Sequence, residues 1–188
     1  SLSSAEQVQA HMKEEVKGYT LRMKESDGGT ETISGSDIDI EYVADDSVEK
    51  LIKKQNPLLW ITGLWKQQNI ESSVGVKYDK DKLAKVIENL DCMAEENQIP
   101  SVSAKPEFTG EKFEVAAEQI GTAIDKDKFA ETVTKAINGF QSEVDLMKED
   151  CYILPKYTKD SPEVAEACEK MNSELGANIT LDFSPNTE

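Results

Sequence analysis

Two stretches, Val74-Gly75-Val76-Lys77-Tyr78-Asp79-Lys80-Asp81-Lys82-Leu83-Ala84 and Ile120-Gly121-Thr122-Ala123-Ile124-Asp125-Lys126-Asp127-Lys128-Phe129-Ala130, carry one pattern, the second 46 residues after the first. Each runs from an alternating apolar segment holding a glycine into Asp-Lys-Asp-Lys. Apolar residues then recur at helical spacing: Leu83, Val86, Ile87 and Leu90 in one, Phe129, Val133, Ala136 and Ile137 in the other. The pattern predicts a strand-to-helix module written twice, over residues 74–90 and 120–139. The first Asp of each copy suits an N-cap, accepting a hydrogen bond from a backbone N–H that has no partner inside the helix. The second sits favourably near the positive helix end. A calcium loop also begins Asp-x-Asp, but it needs a further oxygen ligand, a Gly at its sharp turn and a closing Glu. Leu83-Ala84 and Phe129-Ala130 stand where a ligand and the Gly belong, so the reading is a capped helix start with no metal.

Working outward, the chain of 188 residues is long enough to bury a core, as one large domain or two small ones. Charged residues make up 31% of it, and mean hydropathy is −0.54. The formal charge of −16, with no Lys/Arg run to override it, argues against nucleic acid and anionic membranes as partners. No apolar run reaches membrane-spanning length, and Ser1-Leu2-Ser3-Ser4-Ala5-Glu6 lacks the features of a signal peptide. A chain opening on Ser rather than Met is expected to be a piece of a longer protein, with targeting information outside it.

Residues 1–17 read as a polar helical lead-in with sparse apolar positions, Val8, Met12 and Val16, ended by Gly18. Tyr19-Thr20-Leu21-Arg22-Met23, the turn Asp27-Gly28-Gly29 and Glu31-Thr32-Ile33 form a hairpin. Asp37-Ile38-Asp39-Ile40-Glu41-Tyr42 alternates like another strand, and Asp46 or Ser47 caps a short helix. Asn56-Pro57 opens Leu58-Leu59-Trp60-Ile61-Thr62-Gly63-Leu64-Trp65, the most apolar stretch, which suits a buried helix or an exposed ligand surface.

Residues 92–100 read as a connector. A second hairpin follows, from Ser101 to Phe108 and from Lys112 to Val115, with Pro106 placing its strand at an edge. Gly139 marks the end of the second module, and Val144-Asp145-Leu146-Met147 is a short strand. Ser161-Pro162-Glu163 then opens a helix with Val164, Cys168, Met171 and Leu175 on one face and Gly176 as its stop. Ile179-Thr180-Leu181-Asp182-Phe183 alternates like the first strand. The expected class is α+β, short antiparallel strands and hairpins packed with amphipathic helices, with an internal strand–helix repeat.

Catalytic signals are sparse. The single histidine, His11, lies in the lead-in, and the three cysteines, Cys92, Cys151 and Cys168, fit no CxxC or zinc spacing. Acidic neighbours raise rather than activate a thiol. No nucleophile elbow, phosphate loop or dinucleotide fingerprint occurs, so neither an enzyme nor a cofactor is expected.

Several features together resemble the peptidoglycan-binding domain that precedes the catalytic domain in L,D-transpeptidases of Gram-positive bacteria. They are the first hairpin with Ile33-Ser34-Gly35-Ser36-Asp37-Ile38, the Gln55-Asn56-Pro57-Leu58-Leu59-Trp60 segment, and the second module with Phe113-Glu114-Val115 and Glu118-Gln119-Ile120-Gly121. Cys151-Tyr152, Pro155, Tyr157 and Ser161-Pro162-Glu163 also fit. The resemblance implies a domain over residues 18–176, with 177–188 starting a following repeat. It also implies an extracytoplasmic cell-wall setting, membrane anchoring through a segment outside this sequence, and peptidoglycan and a downstream catalytic domain as partners. The Ser/Thr-His-Gly-Cys transpeptidase motif is absent from the chain. Two roles follow: a noncatalytic binding module that positions the transpeptidase, or a spacer with no tight ligand. For the first, Trp60, Trp65, Tyr78 and Tyr157 are the candidates for stacking on sugars. An extracellular setting also admits a disulfide between Cys92 and Cys151, leaving Cys168 as a buried free thiol; three reduced cysteines are the alternative.

Overall fold

The computed structural model describes residues 4–43 and 75–182. The short helix expected after Asp46 and the apolar stretch at 58–65 lie outside the described residues. The fold is α+β, as expected, with four α-helices and short strand pairs among the described residues. The chain forms two compact units, one from residues 1–97 and 124–151, the other from 98–123 and 152–188.

The first unit is built on a three-stranded sheet with β1 (Thr20–Lys24) in the middle. On one side β1 pairs antiparallel with β2 (Thr30–Ser34), Leu21 opposite Ile33; on the other it pairs parallel with β7 (Glu143–Asp145), Met23 opposite Val144. The alternation read from the sequence is the one observed, since Leu21 and Met23 are fully buried while Thr20, Arg22 and Lys24 face outward. Gly28 takes φ 91° in the hairpin turn, and the Asp27 carboxylate accepts the Gly29 N–H at 2.8 Å. Helix α1 (Ser4–Lys17) is more than a lead-in. Its i, i+4, i+8 stripe of Val8, Met12 and Val16 is buried, and it packs against β3 (Glu41–Tyr42) and a 3-10 turn at Gly35–Ile38.

The expected strand at 37–42 is corrected to that turn followed by the two residues of β3. Asp39 adopts a left-handed conformation, φ 54°, and the Ile40 N–H closes onto the Gly35 carbonyl. Ile38 and Ile40 are both buried, so the apolar alternation reflects two inward side chains on either side of a reversal. Strand β3 pairs antiparallel with β4 (Val76–Lys77), Tyr42 opposite Val76.

Both Asp-Lys-Asp-Lys stretches start helices as predicted. Asp79 caps α2 (Lys80–Glu88), accepting from the N–H groups of Asp81 and Lys82; Asp125 caps α3 (Lys126–Asn138), accepting from Lys128. Helix α3 buries Phe129, Thr132, Val133, Ala136 and Ile137. The two modules differ before the cap. Residues 76–77 form a strand, whereas 120–123 form no strand and are held by separate hydrogen bonds to Ile99, Ser101 and Ile153.

The end of α3 departs from expectation in an instructive way. Gly139 has φ −85°, and it is Phe140 that takes the left-handed position, φ 51°. The Phe140 N–H bonds the Ile137 carbonyl and the Gln141 N–H the Ala136 carbonyl, the two bonds of a Schellman motif with a bulky residue where Gly is usual. A side chain in this region costs roughly 1 kcal/mol. Two contacts offset it: the Phe140 ring stacks on buried Tyr19, centroids 4.7 Å apart, and the Tyr19 hydroxyl donates to the Gln141 carbonyl at 2.6 Å.

In the second unit, β5 (Lys105–Phe108) and β6 (Phe113–Ala116) form the expected hairpin, with Pro106 in a two-stranded ribbon where both strands are edges. Helix α4 (Pro162–Asp182) packs on this ribbon. Val164 and Cys168 are buried as predicted, but Met171 is exposed and Asn172 takes the next inward place. Its amide accepts the Phe113 N–H at 2.6 Å and donates to the Phe113 carbonyl at 2.9 Å, so a helix side chain satisfies the ribbon edge. Gly176 does not stop α4, and the strand expected at 179–183 is corrected to helix as far as Asp182. A glycine stops a helix most effectively by taking a left-handed turn just past its last residue. Gly176 instead remains helical, and its carbonyl accepts a bond from the Thr180 hydroxyl.

Replacing either cap, Asp79→Ala or Asp125→Ala, is expected to lower stability by about 1 kcal/mol. In urea unfolding this appears as a lower midpoint with unchanged m. Asp81→Asn and Asp127→Asn, which remove only the helix-end charge, are expected to cost about half as much.

Candidate binding surface

Three segments of the second unit, residues 98–104, 119–123 and 152–157, are tied together by backbone and hydroxyl hydrogen bonds. Val102 and Gln119 exchange both backbone bonds at 2.8 Å. The Thr122 N–H donates to the Ile99 carbonyl at 2.7 Å, and the Thr122 hydroxyl accepts the Ile99 N–H at 2.9 Å. Ser101 Oγ accepts from Gly121 N–H and donates to the Ile153 carbonyl, while Ser103 Oγ accepts from Tyr157 N–H. The segments approach so closely at Gly121 that a Cβ there would overlap the Ile99 carbonyl.

With their hydroxyls spent on backbone groups, these segments leave apolar side chains in solvent. Ile99, Val102, Ile120, Ile153 and Leu154 are between 46% and 66% exposed. Among the described residues, every strongly exposed large apolar side chain except Val43 belongs to this unit, Phe108 and Val115 of the β5–β6 ribbon included. Solvent-facing apolar groups in such number mark an interaction surface more often than a folding requirement. The eighteen residues of the three segments carry one charge, Lys156, in a chain that is 31% charged. That ammonium lies 5.1 Å from the centroid of the Tyr157 ring.

Of the residues picked from sequence, Tyr157 stands on this surface, half-buried. Tyr78, also half-buried, follows β4 in the other unit, directly before the Asp79 cap. Trp60 and Trp65 lie outside the described residues. The isoleucines and Leu154 were not among the candidates. Their signal in the sequence is a gap in the charge pattern rather than an aromatic residue.

A family model described as "Putative peptidoglycan binding domain" matches residues 31–145, more than half of the chain. The chain belongs to this family. No curated protein and no solved structure matches it. The segment matched to the peptidoglycan-binding family runs from β2 to the end of β7. It includes two of the three segments of the nearly uncharged surface and stops short of 152–157.

Among the described residues of the first unit, an open groove of about 420 Å³ lies beside α2 and another of about 430 Å³ between α1 and β3. The unit's closest gathering of reactive groups lies elsewhere. Glu25, Glu31 and Cys92 bring one ligand atom each within 4.8 Å of the others, the one grouping among the described residues compact enough to hold a metal ion. Glu31 Oε1 accepts the Cys92 N–H at 2.8 Å, and its Oε2 is enclosed. Burial, then the charges of Glu31 and Asp27, push the Glu25 carboxyl up. Burial and Glu31 push the Cys92 thiol far up, which keeps it protonated and unreactive. Cys151 is buried with its thiol against Thr132 Oγ1 at 3.5 Å, and Cys168 is buried on α4. None of the three cysteines is disulfide-bonded in this structure: Cys92 lies against Glu31, and Cys151 against Thr132.

A carboxyl held above its ordinary value favours the folded state at low pH and loses that contribution as pH rises through the folded value. Glu31→Gln keeps an acceptor for the Cys92 N–H and removes one charge. It is expected to raise Tm by about 2 °C at neutral pH in EDTA, with the gain fading as acid protonates Glu25 in the parent. Thermal unfolding from about pH 4 to pH 8 reads this directly; a gain that persists undiminished in acid would exclude charge repulsion as its cause.

Proposed function

We propose that the chain is a noncatalytic, extracytoplasmic wall-binding module that grips peptidoglycan and keeps a downstream L,D-transpeptidase near its substrate. The observation that carries this reading is the family match over residues 31–145. The exposed apolar, nearly uncharged surface of the second unit supports it, because an extended saccharide polymer can rest on apolar side chains and an aromatic ring without entering a deep pocket. The state of the thiols agrees with a noncatalytic role: Cys92 and Cys151 are both shifted toward the protonated form, and His11 is exposed on α1, paired across a turn with Glu15.

A spacer that binds nothing tightly is the second reading. The charge of −16 favours it, because walls bearing teichoic acid are anionic and repel such a surface. Cosedimentation with purified peptidoglycan, with and without its teichoic acid, separates the two. Binding is expected to be saturable and to weaken about three- to tenfold in Tyr157→Ala and in Ile153→Ser/Leu154→Ser, each truncation removing of order 1 kcal/mol of contact. A protein that stays in the supernatant with both wall preparations would overturn wall binding and leave the spacer.

A further inference from the structure

We infer that the component of the wall recognised by this domain is the uncharged glycan strand, not the stem peptide, and that it lies on the surface made by residues 98–104, 119–123 and 152–157. The inference rests on the wall-binding reading and adds to it a ligand class and a place. Its basis is charge. The chain carries −16 overall, so a stem peptide, which presents free carboxylates, is repelled by most of the molecule. The surface described above offers such a peptide only one cation, Lys156, whose ammonium lies near the Tyr157 ring. The nearest acid in sequence, Glu118, is engaged as well, its carboxylate accepting the Lys159 N–H at 2.6 Å.

An N-acetylated hexosamine backbone has the complementary character. It is neutral, its C–H faces and acetyl methyls match exposed Ile99, Ile120, Ile153 and Leu154, and the Tyr157 ring supplies the aromatic face on which pyranose rings rest. The serine and threonine hydroxyls of these segments are already committed to backbone partners, so the surface is stiff before any ligand arrives. A stiff, neutral, apolar layer on a strongly acidic protein selects an uncharged polymer by excluding charged ones.

The test is competition. The protein is bound to purified peptidoglycan, then challenged with uncharged N-acetylglucosamine hexamer or with a synthetic stem pentapeptide. Displacement by the hexamer and not by the pentapeptide is expected, with affinity changing less than twofold between about 50 and 500 mM NaCl. Lys156→Gln should bind within twofold of the parent, whereas Ile153→Asp/Leu154→Asp, at positions exposed enough to leave folding intact by circular dichroism, should lose at least tenfold. Displacement by the pentapeptide, displacement by neither, or a tenfold loss in Lys156→Gln would each overturn the glycan assignment while leaving wall binding in place. A parent protein that fails to sediment with peptidoglycan at all would instead remove the wall-binding reading itself.

Discussion

The first unit depends on one strand with two kinds of neighbour. On one edge β1 pairs with β2, reached through a tight turn; on the other it pairs with β7, from the far end of the matched family segment. One edge of β1 therefore stays unpaired until residues 143–145 arrive. Everything from β2 to β7 is an excursion between two edges of the same strand, and residues 98–123 leave that excursion to join a separate unit. The matched segment begins within β2, so it contains both outer strands of the sheet and lacks the middle one. In this chain the matched segment and the folding unit have different boundaries.

The second unit reverses the usual assignment of polar and apolar groups. Hydroxyls that commonly face water are turned toward backbone N–H and carbonyl groups, and isoleucines that commonly fill a core face water. The unit is small, drawn from two short pieces of chain, and its regular elements are one ribbon and one helix. Side-chain hydrogen bonds from Ser101, Ser103, Thr122 and Asn172 supply the cohesion that a larger apolar interior supplies elsewhere. This frees aliphatic residues for the surface at modest cost to folding.

What could be read from the sequence was what local chemistry decides. Asp79 and Asp125 cap helices because an Asp before an amphipathic run satisfies the nearest orphan N–H groups whatever the rest of the chain does. The first hairpin followed from its Asp27-Gly28-Gly29 turn for the same reason. The readings that changed all turned on context. Asp39 and Phe140 hold left-handed conformations with no glycine to announce them, because a Lys82 pairing accompanies the one and a Tyr19 stack the other. Gly176 signalled a stop that the surrounding helix overrode. The Asn172 contact needed knowledge that β6 would end as an open edge facing α4. The surface residues showed themselves only as missing charge, a signal that gains meaning once three distant segments are known to be joined.

The latch at the end of α3 bears on the order of events as the chain folds. Its two halves, Tyr19 and Gln141, are 122 residues apart, and the strained Phe140 turn is relieved only when both are present. Helix α3 can form early on the strength of its Asp125 cap, but its last turn frays until β1 docks. Closure of so long a loop is slow compared with hairpin or helix formation. Because residues 19–24 leave the ribosome well before residues 136–145, the nascent chain holds its receiving strand ready, while a denatured chain refolding in solution must bring the two ends together from a distance.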